Sequence, residues 1–164
     1  MADGMEFSIT GLDTILGKLE SVSYDLKRKG GRSSLRRAAQ LVVDKAVEGA
    51  RALDDAETGR SIASNIALRW NGRLFKQTGN LGFRIGVLKG AVLPKPGERP
   101  DMSAGGPTPH WRLIEFGTAK MQGVPFMRRA LADNISAVTD TFVTEYEKAI
   151  DRAIKRAGKA KGGG

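Results

Sequence analysis

From Trp111 to Leu131 the chain reads WRLIEFGTAKMQGVPFMRRAL, and this stretch limits the folds open to the rest. A short apolar run, WRLIEF, stops at Gly117-Thr118, a polar bridge spans Lys120 to Gly123, and Val-Pro-Phe-Met opens a long helical pattern. The run has strand length. As extended chain it points Trp111, Leu113 and Glu115 one way and Arg112, Ile114 and Phe116 the other. Apolar groups on both sides imply an interior strand, or one covered by the helix that follows. Pro125 suits the first helical turn, where its missing N–H costs nothing. Met127, Leu131, Ile135, Val138, Phe142, Tyr146, Ile150 and Ile154 then recur at helical spacing. They predict a single helix of roughly thirty residues, about 45 Å long. That exceeds the diameter of a small domain, so part of it is expected to project or to pack on another subunit.

Upstream, Met5 to Thr10 alternates apolar and polar residues as a short strand does, and Thr10 with Asp13 resembles a capping box. Leu12, Ile15, Leu16, Leu19, Val22 and Leu26 predict a first helix from Leu12 to Lys29, which Gly30-Gly31 is expected to end. Ser33 or Ser34 would cap a second helix running to Leu53, with Leu35, Ala39, Val42, Val43, Ala46, Val47, Ala50 and Leu53 as its core face. Beyond the turn-rich segment from Asp54 to Gly59, Ser61 to Trp70 can begin as a helical turn and finish as a strand, and periodicity alone does not decide it. Asn71-Gly72 and Gly79-Asn80 are turn signals. Leu81 to Leu88 reads as a strand with Leu81, Phe83, Ile85 and Val87 on one side. Gly82 and Gly86 lie on its other side, where close backbone approach is expected. Leu93 to His110 holds five of the six prolines and three glycines, so a flexible loop is expected at 93–110. In an assembly such a loop either orders itself against a neighbour or stays plainly disordered. Residues 1–156 then form one domain, and 157–164 form a disordered Lys/Gly tail.

Composition narrows the function classes. At 164 residues without cysteine, the chain has room for one core and no means of forming disulfides or thiolate metal sites. No apolar run reaches the roughly 18 residues that span a bilayer, and the N-terminus lacks a basic-then-apolar leader. A soluble protein made inside the cell is expected, with no membrane partner. The formal charge is +9, concentrated in Lys27, Arg28, Lys29, Arg32, Arg36 and Arg37 and again in Lys148, Arg152, Lys155, Arg156, Lys159 and Lys161. These are either solvated helix faces or surfaces for nucleic acid or an acidic partner. Trp70, Phe75 and Phe83 interleave with Arg69, Arg73, Lys76 and Arg84, as in single-strand binders, although core packing explains the aromatics equally well. Chemistry finds little purchase. His110, the one histidine, has no recognisable nucleophile or orienting group beside it. Asp54, Asp55 and Glu57 read as a capped turn rather than a calcium loop. Glu115 reads as a salt bridge or turn anchor. No cofactor, metal site or catalytic set is expected.

The stretch from Trp111 to Leu131 resembles the signature of the neck or tail-completion protein family of lambda-like, long-tailed double-stranded-DNA phages. The residues carrying the likeness are Trp111, Ile114, Glu115, Phe116, Gly117, Thr118, Lys120, Met121, Pro125, Phe126, Met127, Arg128, Ala130 and Leu131. The opening MEFSITGLDTILGKLE is similar to the family's first strand and helix. Glu57-Thr58-Gly59-Arg60 and Thr78-Gly79-Asn80-Leu81 each match part of a family segment that follows helix two. The resemblance implies an α+β fold, with a small antiparallel sheet packed against two N-terminal helices and one long C-terminal helix. It also implies a non-enzymatic virion protein, made in the host cytoplasm. Copies would form a homo-oligomeric ring, a hexamer, at the head–tail junction. The implied partners are a head-closure or connector protein, a tail terminator or tail-tube protein, and genomic DNA held non-specifically in the channel. The alternative is a basic, non-specific nucleic-acid-binding domain.

Overall fold

Small residues at helical spacing invite close packing, and the longest such run forms α1, Tyr24–Arg51. The structure is a computed structural model that describes residues 24–54, 61–88 and 108–161. Ala38, Ala39, Val42, Val43, Ala46 and Ala50 of α1 are buried, and Leu35 and Val47 are half-buried beside them, as the periodicity requires. The break expected at Gly30-Gly31 does not occur, and the helix passes through both glycines. Their value lies in the missing side chains. A Cβ at Gly30 would come within 3.2 Å of Ala149 Cβ, and one at Gly31 within 2.8 Å of Leu81 Cδ1. Glycine costs roughly 1 kcal/mol of helix propensity per residue, and the close approach of neighbours offsets it here. Ser34 is accordingly a buried mid-helix residue, its hydroxyl donating to Gly30 O at 2.8 Å, rather than a cap. The strand expected at Met5–Thr10 and the helical face from Leu12 to Val22 lie outside the described residues.

Next come α2, Ile62–Asn65, and β1, Ile66–Trp70, so the segment from Ser61 to Trp70 is a helical turn followed by a strand. Asn71-Gly72 opens a short helix, α3 (Gly72–Thr78), instead of a simple turn. Asn71 Oδ1 accepts from Leu74 N at 3.2 Å, and Gly79 closes the helix in the left-handed conformation at φ 74°. The expected strand is β2, Phe83–Val87. It pairs antiparallel with β1 in the register Ile66↔Val87, Leu68↔Ile85, Trp70↔Phe83. Close approach is real at Gly82, where a Cβ would meet Leu74 Cδ2 at 2.7 Å; at Gly86 there is open space. Of the proline-rich loop, only Thr108 to His110 belongs to the described residues.

The C-terminal region is α4, Trp111–Phe116, α5, Phe126–Ala132, and α6, Ile135–Lys161. The single long helix expected after Pro125 is therefore two. At the joint, Asn134 N donates to Leu131 O at 3.2 Å, and the Asn134 side-chain amide donates to Ala130 O at 3.1 Å. The amide satisfies a carbonyl that helical backbone would otherwise have used. With 27 residues, α6 still measures about 40 Å. Its backbone stays helical through Lys161, well into the stretch expected as a disordered tail.

Helix α1 runs antiparallel to α5 and α6. Gly49 lies against Phe126 near one end, Arg37 pairs with Glu145 further along, and Gly30 meets Ala149. Three apolar clusters fill the space between them. Tyr146, Ala149 and Ile150 gather Leu26, Phe142 and Val143. Val42, Ala46 and Ala130 take in Ile66, Ile85, Met127 and Val138 from the sheet and helices. Ala50, Ile62, Ala63, Val87 and Phe126 hold Trp111 and Ile114. The described chain is thus α+β, a small antiparallel sheet against long helices.

Because Gly30 lies 3.2 Å, as measured to an added Cβ, from both Ala149 and Leu26, Gly30→Leu should force α1 and α6 apart. We expect a loss of about 1–3 kcal/mol from overpacking, read as a lower urea midpoint with an unchanged slope. An unaltered midpoint would refute the close-packing role of this glycine.

Candidate functional site

The signature segment departs most from its expected local structure. WRLIEF is the helix α4, not a strand. Six residues are too few for alternation to be told from a 3.6-residue period, and the surroundings decide. Trp111 N donates to Thr108 O at 3.2 Å and Ile114 N to His110 O at 3.1 Å, starting the turn. Gly117, at φ 78°, ends it with its N–H on Leu113 O at 2.8 Å. The inward face becomes Trp111, Ile114 and Glu115, while Leu113 and Phe116 turn outward.

Glu115 is 1% exposed, and its surroundings explain why a carboxylate is there. Helix α5 begins after Pro125, which has no side-chain oxygen to cap the first N–H groups. Glu115 does so from another helix. Its carboxylate accepts from Met127 N at 2.9 Å, Arg128 N at 3.1 Å and Arg128 Nε at 3.0 Å. Arg128 Nη2 adds a bond to the Glu115 carbonyl at 3.0 Å. An anion at the positive end of a helix is favoured by its dipole as well as by the bonds themselves. Phe126 is buried one residue upstream, so α5 is fixed by an apolar anchor and an ionic cap at adjacent positions.

Between the two helices the backbone folds back on itself. Thr118 N donates to Met121 O at 2.8 Å, and the Thr118 hydroxyl accepts from Met121 N at 3.1 Å. Val124 N reaches Ile114 O at 2.6 Å. A Cβ at Gly117 would lie 2.6 Å from Gly123 N, and one at Gly123 would lie 2.7 Å from Phe116 C. This tightly braced unit shows apolar groups to solvent: Phe116 is 65% exposed, Met121 48%, Val124 43% and Leu113 40%. Arg128 lies over the Phe116 ring, 5.0 Å from its centroid.

The two basic clusters, far apart in sequence, share one end of the fold. Antiparallel packing brings Arg28, Lys29, Arg32, Arg36 and Arg37 of α1 to the same end as Lys148, Arg152, Lys155 and Arg156 of α6, all exposed. The side chain of Lys27 lies outside the described residues. Arg37 and Lys148 both pair with Glu145. Arg28 and Arg32 instead sit over aromatic rings, Arg28 at 4.6 Å from the Phe75 centroid and Arg32 at 4.2 Å from that of Trp70. With Lys29 and Leu81 they line a cavity of about 350 Å³. Trp70 in turn meets Phe83 edge-on at 5.3 Å. The interleaved aromatic and basic residues from Arg69 to Arg84 hinted at this arrangement. Their helical partners, some forty positions upstream, could not be paired with them from spacing.

Asp54 caps α2, accepting from Ile62 N at 2.7 Å and from the Ser61 hydroxyl at 2.8 Å. Asp55 and Glu57 lie outside the described residues. Among the described residues no three acidic or histidine side chains are grouped to hold a metal. A groove of about 440 Å³ between α1 and α5 is lined by Gly49, Leu53 and Phe126 beside Lys45, Glu48 and Asp133. No described helix is long and apolar enough to cross a membrane.

Replacing Glu115 with Ala should leave two backbone N–H groups of α5 without their acceptor. Hydrogen bonds to a charged group contribute about 1.5–3 kcal/mol each, so we expect a loss of about 3 kcal/mol or more in chemical unfolding. Glu115→Gln, which keeps one acceptor oxygen, should lose about half as much. Equal, negligible effects of both changes would refute the capping role.

The family model described as “Bacteriophage HK97-gp10, putative tail-component” matches residues 13–117, from the region before α1 to the glycine that ends α4. No curated protein and no solved structure matches the chain significantly.

Proposed function

The chain belongs to the HK97-gp10-like tail-component family of bacteriophages, and from that membership we propose a structural, non-enzymatic role at the neck of the virion. Copies assemble into a ring, a hexamer, at the head–tail junction. The ring completes the tail and joins it to the head around the DNA channel. Its neighbours are a head-closure or connector protein on one side and a tail terminator or tail-tube protein on the other.

The observation that carries this reading is the exposed apolar edge of Leu113, Phe116, Met121 and Val124 on a unit locked by Glu115, Gly117 and Gly123. Burying such an edge contributes roughly 25 cal/mol per Å², and rigidity lowers the ordering cost of association. The remaining signature residues support that edge. Trp111 and Phe126 anchor it to the core, Thr118 closes the turn, Pro125 starts α5, and Arg128 covers Phe116. The basic residues at the far end of α1 and α6 face DNA or an acidic neighbour.

Native mass spectrometry and electron microscopy of assembled tails should find a ring containing this chain. Gly117→Val, which introduces a branched side chain where even a Cβ lies 2.6 Å from backbone, should reduce incorporation at least tenfold, while His110→Ala should leave it near normal. Tails without any such ring, or equal yields from the two variants, would overturn the proposal.

A further inference from the structure

At the basic end of the fold, the cavity lined by Arg28, Lys29, Arg32, Trp70, Phe75 and Leu81 has a specific chemistry. A guanidinium lying on an aromatic face is held by the ring quadrupole, and this leaves the N–H groups along its edge available for an anion. Neither Arg28 nor Arg32 forms an ion pair with a carboxylate among the described residues; their contacts are to the rings. Two planar forks are thereby held over the rings, with no acceptor for their donors among the described residues, and Lys29 adds a third cation to the lining. A planar fork matches the oxygen spacing of a phosphate and binds it bidentately.

The surroundings extend this site. Arg73 and Lys76 project from α3, and Arg152, Lys155 and Arg156 from α6. The anion that fits is therefore extended rather than compact. We propose that this end of the molecule grips the phosphodiester backbone of nucleic acid, with Arg28 and Arg32 as the primary phosphate contacts and Trp70 and Phe75 as their positioning residues. Because guanidiniums already cover the two rings, base stacking plays no part, and duplex DNA binds without sequence preference. The inference takes its biological setting from the channel reading above, but the site itself rests only on these residues.

Fluorescence anisotropy with the purified full-length chain and a labelled 30-base-pair duplex, over a salt series, tests it. The wild type should bind with a linear dependence of log affinity on log salt. Arg28→Gln with Arg32→Gln should flatten that slope by about 2 and weaken binding at least tenfold near 0.1 M salt. Trp70→Leu keeps every charge, so it should weaken binding several-fold without changing the slope, and Trp70→Phe should restore it. Lys45→Gln with Arg129→Gln, at the opposite end, should change neither. The proposal is overturned if the wild type fails to bind duplex at about 50 mM salt, or if the opposite-end pair loses as much as Arg28 and Arg32. Retention on poly-glutamate without duplex binding would assign the surface to an acidic protein and would overturn it equally. A failure here leaves the ring reading intact, since no tail is present in the measurement. Absence of the chain from the neck leaves this site intact.

Discussion

Removing a carboxylate almost completely from water is tolerable only where the protein replaces the lost hydration with fixed donors, and Glu115 meets that condition through α5. Three N–H groups converge on it, two from backbone. The arrangement is reciprocal. Glu115 needs the start of α5, and α5, preceded by a proline with nothing to offer as a cap, needs Glu115. Everything from Trp111 to Ala132 follows from that mutual requirement. The tight return through Thr118 and Met121 brings the two helices into register, and the glycines at 117 and 123 allow the backbones to pass. The exposed apolar edge is a by-product of a turn with no interior of its own.

The sequence made parts of this legible and hid others for identifiable reasons. Alanine and valine periodicity located the core face of α1, and alternation located β2, because both segments are long enough to separate one period from another. Short or glycine-bearing segments misled. Gly30-Gly31 has the composition of a helix end, yet Ala149, Tyr146 and Leu81 occupy the space its missing side chains leave. Trp111–Phe116 reads equally well as a strand, and only the position of the α5 N-terminus shows why Glu115 must turn inward with Trp111 and Ile114. The pause at Asp133-Asn134 depends on one side-chain amide, which apolar spacing does not register. The resemblance noted at Trp111–Leu131 proved consistent with the family match, although the matched residues end at Gly117.

Charge shows the same contrast between local and distant information. Each basic cluster read singly is an ordinary solvated face. Antiparallel packing of α1 on α6 adds the clusters together at one end, while Asp44, Glu48, Asp54 and Asp133 gather toward the other. Lys45, Arg128 and Arg129 accompany those acids, so the two ends differ in that only the first gathers cations with few carboxylates among them.

The joint between α5 and α6 also has a mechanical consequence. Beyond the Tyr146–Ile150 cluster, α6 continues past the half-exposed Ile154 to Lys161. Over its middle, α6 is clamped to α1 by the Arg37–Glu145 pair and by Gly30 against Ala149, so the two long helices form one stiff body, and the break at Asp133-Asn134 is what leaves α5 to follow its own course to Glu115.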